Sequence, residues 1–545
     1  MKKYRHYAVA PLLALLAHVL ALRNGFALDD FTLLTRNPYV QAPGGLKVML
    51  TSSLFAASAE PAKTDYYRPL TSLLNWTSFQ VFHDGHAGQH ALNLFLHLGI
   101  VALFHDVLLR GNVRRPVALV AASFFAIHPA TVDVVAYIGG RQDMLGWLCV
   151  LGAYRLLQTT NRLVVCGVLG AAAMILGTFS REAFLAIAAV LPIAAAIRTS
   201  DGVVDRKRGL VTGMGAAFGF GVVALARHAV GVRWNQPGPG HGASDWIQAC
   251  AGFLARMLKD FFAPTDLVVD LDVPKLALPL AILLIVLFVI SFPLAWRAVA
   301  RDLSNRRSVL VFGHMALFAT VAIHTPVALR FGFLSDRYAY PFILAGTLTL
   351  APLAERAIDA LAPSLAGSPL KRILPVVPWL VIAALIPLTW SRVVTWRDET
   401  SLQTDMYAVR PDDPHSKFAE GMRLMQLGQW EKALPLCQAY LDRYSTSSRP
   451  EACIGNALLM LKRPKEAIPH LKHYAEEHLA SVEARVAVID TMFRVNDLDA
   501  IEQTLDEWGP DLADAPDMVA ARKELEKRRA SRTSPPHTPT VPPTP

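Results

Sequence analysis

The feature that most constrains this chain is a series of long apolar blocks separated by short clusters of arginine and lysine. Of the 545 residues, 53% are hydrophobic and 18% are charged. The blocks are apolar on every side of a helix, whereas the helices of a water-soluble domain expose one polar face to water. Blocks of this length cross a bilayer as helices. The sequence therefore predicts an all-α polytopic membrane bundle with about eleven spans. The predicted spans are roughly 7–22, 90–109, 116–138, 143–158, 162–179, 183–197, 209–232, 274–296, 308–328, 339–354 and 373–391.

The basic residues set the predicted orientation. The net charge of +9 does not indicate a nucleic-acid partner, because the basic residues flank apolar blocks and do not line one helix face. About 18 of them fall on the side of the N-terminus and about four in the short loops opposite, so the N-terminus is predicted to be cytoplasmic. Two long outer loops, 23–89 and 233–273, are not counted, since long loops translocate largely regardless of charge. The first span is interpreted as an anchor, because no convincing signal-peptide cleavage site follows it.

After residue 400 the apolar blocks give way to amphipathic helices with an internal repeat. Leu427, Ala433, Leu434 and Pro435 recur 34 residues later as Leu461, Ala467, Ile468 and Pro469, which is the tetratricopeptide (TPR) period. A third, weaker hairpin is predicted near 481–508, so 405–515 is predicted to be a short TPR α-solenoid outside the membrane domain 1–400. The Pro/Thr-rich segment 527–545 is predicted to be a disordered tail.

Two cysteines of the repeat domain are candidates for a disulfide. Cys437 and Cys453 fall on what should be neighbouring antiparallel helices, in a compartment that permits disulfides. A bridge and two buried thiols are both compatible with this spacing.

Ionisable residues gather on the predicted outer face, where membrane helices begin and end. They are Asp29 and Asp30, Arg141 and Asp143, Arg181 and Glu182, and Asp336 and Arg337. For Asp336 and Arg337 we favour a salt bridge between helix ends. Adjacent carboxylates with no neighbouring base repel each other, so the Asp29–Asp30 pair predicts a substrate, a metal or a distant cation as partner.

Several motifs carry a resemblance to a known family. The motifs are LDDFTLLTRNPYV (28–40), YYRPLTSLLN (66–75), HALNLFLHL (90–98), FFAIHPATVDVVAYIGGRQDML (124–145), SREAF (180–184) and SDRYAYP (335–341). In order and spacing they resemble the transmembrane and TPR-containing O-mannosyltransferases, over nearly the whole chain. That family belongs to the GT-C glycosyltransferases, which use a lipid-phosphate-linked sugar on the lumenal or periplasmic face. The resemblance implies the same fold and an inverting sugar transfer to a hydroxyl.

The resemblance also implies roles for particular residues. It puts the catalytic base at Asp29 or Asp30, which would take the proton of the acceptor hydroxyl. The leaving phosphate needs cations, for which Arg141 is the first candidate because guanidinium binds phosphate through two parallel hydrogen bonds. The other candidates are Arg68, Arg181 and Arg337. Glu182 matches the acid of the family's Lys-Glu pair, with Arg181 replacing the lysine, and Asp143 joins it as a residue that would orient substrate.

The histidines in the helices could either ligate a metal ion or form hydrogen bonds between helices. His90, Asn93 and His97 share a helix face, and His128 precedes Pro129 near another helix. No Glu or Cys completes a zinc pattern, so hydrogen bonds between helices are favoured over metal ligation. His90, Asn93 and His128 are kept as residues that would orient substrate. The sequence implies no particular cofactor and leaves a divalent metal open.

Composition and a short repeat array suggest a bacterial member. The expected location is the bacterial inner membrane, with the TPR domain periplasmic, and the expected donor is a sugar linked to undecaprenyl phosphate. Acceptors compatible with the sequence are a protein Ser/Thr or an envelope glycan or lipid, and the TPR domain could bind a periplasmic protein. Two alternatives remain: a non-catalytic TPR scaffold, and a lipid or sugar transporter, which would often show inverted repeats and mid-membrane charges.

Overall fold

The computed structural model describes residues 5–55, 66–197, 204–232, 234, 241–299, 306–364, 368–444, 448–477, 482–512 and 515–533. The chain divides into two compact units, the first covering Met1–Ser58 and Lys63–Ser416 and the second covering Lys417–Pro545. The described residues are almost entirely helical, which confirms the predicted all-α class. The second unit begins about a dozen residues later than the predicted boundary at 405, since the helix and turn before Lys417 belong to the first unit.

The first unit contains most of the helices. In chain order they are α1 (Arg5–His18), α2 (Pro38–Gln41), α3 (Leu46–Thr51), α4 (Pro69–Phe82), α5 (His86–Arg110), α6 (Arg115–Ile127), α7 (Val132–Val135), α8 (Arg141–Leu157), α9 (Leu163–Ser180), α10 (Phe184–Ala188), α11 (Leu191–Ile197), α12 (Arg206–Val230), α13 (Ala243–Phe262), α14 (Leu278–Val299), α15 (Arg306–Phe331), α16 (Ala339–Leu361), α17 (Leu370–Ile373), α18 (Val377–Thr395) and α19 (Glu399–Val409). Shorter helical turns lie at Val19–Arg23, Phe31–Thr35, Pro43–Gly45, Pro129–Thr131, Ile138–Gly140 and Asp336–Tyr338.

Several helices of the first unit suit a membrane interior. Among the described residues, six are long and apolar enough to cross a bilayer, namely α5, α9, α12, α14, α15 and α18. The number rises to seven if α6 and the segment Pro129–Val135, bent by 56° at His128, form one broken span. In lipid every backbone polar group must be satisfied internally, and helices achieve this. The chain is a multi-pass membrane protein, and the figure of about eleven spans stays a prediction.

Membrane helices of this unit pack through small residues and a large apolar core. α9 and α12 lie so close that a Cβ built on Gly215 would come within 1.9 Å of the Gly167 carbonyl oxygen. Small residues let membrane helices approach in this way. The core itself runs through α5, α6, α8, α13, α15 and α16, with Phe104, Trp147 and Phe253 fully buried.

The two predicted outer loops contain helices, and the second contributes one strand to a small sheet. Segment 23–89 holds α2, α3 and α4, and segment 233–273 holds α13. Strand β1 (Asp270–Asp272) pairs antiparallel with β2 (Phe333–Ser335), with Asp270 opposite Ser335. This pairing fixes the chain just before Asp336 and the start of α16.

The second unit is a stack of helices with a 34-residue period. Its helices are α20 (Pro414–Gln426), α21 (Trp430–Arg443), α22 (Arg449–Met460), α23 (Pro464–Glu477), α24 (Val482–Val495), α25 (Leu498–Leu512) and α26 (Pro516–Thr533), the first beginning just before the unit boundary. Gly428, Lys462 and Asn496, 34 residues apart, all have positive φ, at 71°, 59° and 62°. Each ends one helix and reverses the chain into the next, so the sequence repeat is also a repeat of turn geometry.

Two further features of this unit bear on the sequence predictions. Cys437 and Cys453 form a disulfide, with their Cα atoms 6.3 Å apart. Residues 527–533 continue α26 and are not disordered as predicted, because Arg528 and Arg529 bond to acidic residues of α25 and α26 and to the Phe493 carbonyl oxygen. The rest of the predicted tail, 534–545, lies outside the described residues.

Candidate active site

The acidic pair lies on a turn that the C-terminal part of the first unit holds in place. Gly25 N–H donates to the Arg397 carbonyl oxygen at 2.7 Å, and Leu28 N–H donates to Glu399 Oε2 at 2.8 Å. Leu28 itself has a φ of 54°, a left-handed conformation that costs a leucine roughly 1–3 kcal/mol. The contacts around it therefore impose the conformation that presents Asp29.

Asp30 is buried and bonded to the backbone through both carboxylate oxygens. Gly139 N–H donates to Oδ1 at 2.8 Å and Ala27 N–H to Oδ2 at 3.2 Å. Burial raises the pKa of the Asp30 carboxyl to about 7, although these two hydrogen bonds lower it. Glycine is required beside this contact, because a Cβ on Gly140 would lie 2.3 Å from the Val134 carbonyl oxygen. Asp30 thus ties the acidic turn to the turn before α8.

Asp29 is only half-buried, and its carboxylate accepts fewer hydrogen bonds than that of Asp30. The Tyr137 hydroxyl donates to its Oδ2 at 3.2 Å. Within the part of the chain that the structure describes, its carboxylate accepts no other hydrogen bond, and neither Asp29 nor Asp30 forms an ion pair. Of the two carboxylates, Asp29 is the one with an oxygen left for a substrate hydroxyl.

Arg337 is the guanidinium next to this carboxylate. Its Cζ lies 6.0 Å from the centroid of the Tyr137 ring and 5.8 Å from that of Tyr338, and its Nε is buried without a hydrogen-bond partner. Arg337 forms no ion pair or hydrogen bond with any residue described here. Asp29 and Asp270 lie near enough to interact with it electrostatically, but a guanidinium that forms no ion pair can still bind an anion from outside.

Two other predicted arginines form ion pairs with carboxylates. Arg181 forms an ion pair with Asp143, and its Cζ lies 5.3 Å above the Tyr338 ring. Arg68 Nε donates to Glu182 Oε2 at 2.7 Å. The predicted outer-face residues are thus brought together. Asp143 pairs with Arg181, and Glu182 is shared between Arg68 and Arg227.

Arg141, the first candidate for the phosphate, is fully buried and surrounded by neutral acceptors. It donates to Asn93 Oδ1 at 3.1 Å, Ser78 Oγ at 2.9 Å, Asn75 Oδ1 at 3.5 Å and Gln89 Oε1 at 3.0 Å. These partners lie on α4 and α5, whereas Arg141 begins α8. The arrangement suits a residue that joins three helices better than one that contacts a ligand.

His90 and Asn93 hold backbone near the acidic turn, whereas His128 holds α13. His90 Nε2 lies 3.0 Å from the Gly25 carbonyl oxygen, and Asn93 Nδ2 donates to the Tyr137 carbonyl oxygen at 2.7 Å. His128, at the break after α6, bonds to a carbonyl oxygen of α13 at 3.2 Å. In the residues described, no three His, Cys, Asp or Glu side chains are grouped so as to hold a metal ion.

The expected salt bridge between Asp336 and Arg337 is wrong. Asp336 instead pairs with Arg256 of α13, with Nε–Oδ1 at 2.9 Å and Nη2–Oδ2 at 2.5 Å, and accepts the Val268 N–H at 2.6 Å. The sheet of β1 and β2 directs Asp336 toward α13, so that its neighbour Arg337 points toward Tyr137.

Sequence reasoning missed residues whose partners are distant in the chain. Tyr137 contacts Asp29. It was not predicted as a site residue, because it carries no charge, although it lies in the 124–145 motif. Arg392 binds Asp133 through two hydrogen bonds of 2.7 Å across 259 residues. The only available signal was that Asp133 and Tyr137 lie in the 124–145 motif.

Fold and site together define a multi-pass helical membrane protein in which a half-buried carboxylate lies near a guanidinium that forms no ion pair within the part of the chain described. The chain is similar to a protein O-mannosyl-transferase of Caenorhabditis elegans, with 25% identity over 177 residues, which is 31% of this chain and 25% of the relative. It is also similar to protein O-mannosyl-transferase TMTC4 of Homo sapiens, with 32% identity over 138 residues, which is 22% of this chain and 18% of that relative. These similarities confirm the resemblance to that family.

The matches are partial. The aligned region spans a quarter or less of the length of these curated relatives. No family profile matches the chain. A solved structure of the Archaeoglobus fulgidus oligosaccharyltransferase, tethered to an acceptor peptide, is similar over 76% of this chain and 58% of that chain, with 14% identity and a TM-score of 0.39.

Proposed function

We propose that this protein is a membrane glycosyltransferase that moves a sugar from a polyprenyl-phosphate donor to a hydroxyl acceptor. The observation that carries the proposal is the meeting of Asp29, half-buried with an oxygen left for substrate, and Arg337, a guanidinium that forms no ion pair among the described residues. Sugar transfer from a lipid phosphate needs both a proton acceptor and a cation for the leaving phosphate. The names of the curated relatives support the same reaction class.

The proposed reaction is a single inverting displacement. Asp29 takes the proton of the acceptor hydroxyl as its oxygen attacks the anomeric carbon, and the bond from that carbon to the phosphate oxygen breaks. The electron pair leaves with the phosphate, whose charge the site arginines stabilise. Tyr137, hydrogen-bonded to Asp29, orients the carboxylate. Asp30 acts indirectly: its two backbone hydrogen bonds hold the turn that carries Asp29.

The location and orientation form part of the same proposal. We infer a bacterial inner membrane with the N-terminus in the cytoplasm, the site on the periplasmic face and the repeat unit in the periplasm. The Cys437–Cys453 disulfide supports this assignment, since disulfides persist in oxidising compartments. The acceptor is a protein Ser/Thr or an envelope glycan or lipid, and the donor is an undecaprenyl-phosphate sugar.

Replacing both acidic residues tests the proposed function directly. The double variant Asp29→Asn, Asp30→Asn is expected to lose sugar transfer in isolated membranes, because no carboxylate remains to accept the proton. Transfer to endogenous acceptors is measured with labelled polyprenyl-phosphate sugars, alongside protein level. Asp84→Asn, an exposed acid on the turn between α4 and α5, is the matched control and should transfer normally. Near-normal transfer by the double variant would favour the scaffold alternative.

Removal of the repeat unit tests the proposed partner surface. A chain ending after Ser416 keeps the whole first unit, so it is expected to bind the lipid donor normally and to modify its natural acceptor several-fold less. The reason is that helical repeats present extended surfaces for recognition. Acceptor modification is compared with transfer to a simple soluble hydroxyl acceptor, which should not change. If the natural acceptor is modified as before, the unit has another role.

A further inference from the structure

One short segment of the chain contacts both partners of the Asp29–Tyr137 hydrogen bond. It is the segment 393–399, which runs from the last turn of α18 to the first residue of α19. On one side it contacts the acidic turn, residues 24–30, and on the other it contacts Tyr137. Leu28 and Glu399 are 371 residues apart in the sequence, so only the tertiary structure brings the two parts together.

Three hydrogen bonds join the acidic turn to this segment. Two of them use carbonyl oxygens of the segment as acceptors, and their donors are Asn24 Nδ2, at 3.1 Å, and Gly25 N–H, at 2.7 Å. The third has a side chain as its acceptor: Leu28 N–H donates to Glu399 Oε2 at 2.8 Å. A substitution of Glu399 therefore removes this one contact and leaves the two backbone acceptors in place.

The contact with Glu399 falls at a strained residue. Leu28 has a φ of 54°, in the left-handed region that a residue with a Cβ occupies at a cost. A carboxylate forms a stronger hydrogen bond with a backbone N–H than a neutral acceptor does. Without it, Leu28 is free to return to a negative φ, which would redirect the next residue, Asp29. Glu399 thus stabilises the conformation in which Asp29 meets Tyr137.

A second side chain of α19 holds the Glu399 carboxylate in place. Gln403 Nε2 donates to Glu399 Oε1 at 3.0 Å, so both carboxylate oxygens accept a hydrogen bond. Gln403 Oε1 is buried and has no hydrogen-bond partner among the described residues. Glu399→Gln can therefore keep both contacts: its amide oxygen accepts the Leu28 N–H, and its amide nitrogen donates to Gln403 Oε1 after the Gln403 amide turns over.

The same segment holds Tyr137 through Trp396. The centroids of the two rings are 5.5 Å apart, and their planes are inclined by 31°. Trp396 is buried, and its Nε1 donates to Asp133 Oδ1 at 2.9 Å, which fixes the orientation of the indole. The segment therefore sets the place of the hydroxyl donor as well as that of the Asp29 carboxylate.

We propose that Glu399 is a positioning residue for sugar transfer: it holds Leu28 in the left-handed conformation and so directs the Asp29 carboxylate at the acceptor hydroxyl. The inference rests on the proposed function, in which Asp29 takes the proton of that hydroxyl. Glu399 acts through the turn and takes no part in the proton transfer. A misdirected base slows the chemical step, whereas donor binding does not depend on it.

The kinetics of sugar transfer by the full chain test this role, with the labelled polyprenyl-phosphate sugars of the membrane assay. Glu399→Ala is expected to lower kcat about ten- to a hundredfold and to leave the donor KM unchanged, because the left-handed turn loses its support. Glu399→Gln should stay within about threefold of wild type, since its amide oxygen accepts the same N–H. Adding Leu28→Asn to Glu399→Ala should restore about tenfold, because asparagine adopts a positive φ more readily than leucine.

Asp398→Ala is the matched control. Asp398 caps α19 by accepting the Ser401 N–H at 2.7 Å, and no hydrogen bond joins its side chain to the acidic turn in the part of the chain described. Loss of the cap should lower the unfolding temperature but leave transfer near wild type. A fall in transfer as large as that of Glu399→Ala would show that only the stability of α19 matters, and would overturn the positioning role.

Hydrogen exchange of the turn separates a failure of this inference from a failure of the proposed function. In nanodiscs, the Leu28 N–H of Glu399→Ala is expected to exchange about tenfold or more faster than that of wild type, since exchange follows local opening. Unchanged exchange would overturn the inference, whatever the transfer rate. Faster exchange with normal transfer would overturn the positioning role. This measurement needs no sugar transfer, so the proposed function is judged separately by the acidic double variant.

A double-mutant cycle shows whether Glu399 acts through Asp29. Glu399→Ala should cost little further transfer in an Asp29→Asn background, because the residue that it positions is already inactive. An undiminished loss in that background would mean that Glu399 acts elsewhere, and would overturn the inference while the role of Asp29 stands.

Discussion

Asp29→Asn is expected to lower sugar transfer by about a hundred- to ten-thousand-fold, the usual contribution of a general base. The amide cannot accept the hydroxyl proton, but it can still accept the hydrogen bond that Tyr137 donates. Stability and lipid phosphate binding should therefore stay near wild type. The measurements are transfer rate in membranes, thermal unfolding in detergent and binding of undecaprenyl phosphate.

Asp30→Asn should behave differently, although it is the neighbouring residue. Its amide nitrogen would face a backbone N–H of Ala27 or Gly139 where the carboxylate now accepts one. Loss of such a buried contact costs about 1–3 kcal/mol, so the unfolding temperature should fall and transfer should fall less than in Asp29→Asn. The reverse pattern, an inactive and fully stable Asp30→Asn beside an active Asp29→Asn, would make Asp30 the base.

Arg141→Ala is expected to destabilise the first unit by on the order of 3 kcal/mol or more, because charged hydrogen bonds contribute about 1.5–3 kcal/mol each. The substitution leaves buried oxygens of Asn93, Ser78 and Gln89 without their donor. Thermal unfolding is the measurement, and Arg115→Ala, an exposed arginine at the start of α6, is the control. Arg141→Lys should recover part of the stability.

The same variant separates two roles for Arg141. A residue that joins α4, α5 and α8 should lose stability and lipid phosphate binding together, whereas a phosphate ligand should lose binding and keep its unfolding temperature. An unchanged unfolding temperature with lost binding would return Arg141 to the position of first phosphate candidate and would count against Arg337.

Much of the helical plan was predictable because hydropathy is a local property. Most of the predicted spans correspond to one helix, but 116–138 covers α6 and α7, and 183–197 covers α10 and α11. Among the described residues, six helices satisfy length and hydropathy alone. The repeat was also readable, since Gly428 and its counterparts at 462 and 496 recur with the period of the sequence. The sequence did not predict the C-terminal end of helix α26, because the basic residues there form ion pairs with acidic residues of the preceding helix and of α26 itself.

The sequence by itself determined that this chain forms membrane helices followed by a helical repeat, and it predicted that acidic and basic residues collect at helix ends on one side. Only the tertiary structure decided which of those residues are already paired. Asp336 is adjacent to Arg337 in the chain yet bonds to Arg256, 80 residues away, and Arg337 forms no ion pair with any residue that the structure describes. The physical reason is that an ion pair depends on which helices pack together and which way each turn directs its side chains, and neither is encoded in local composition.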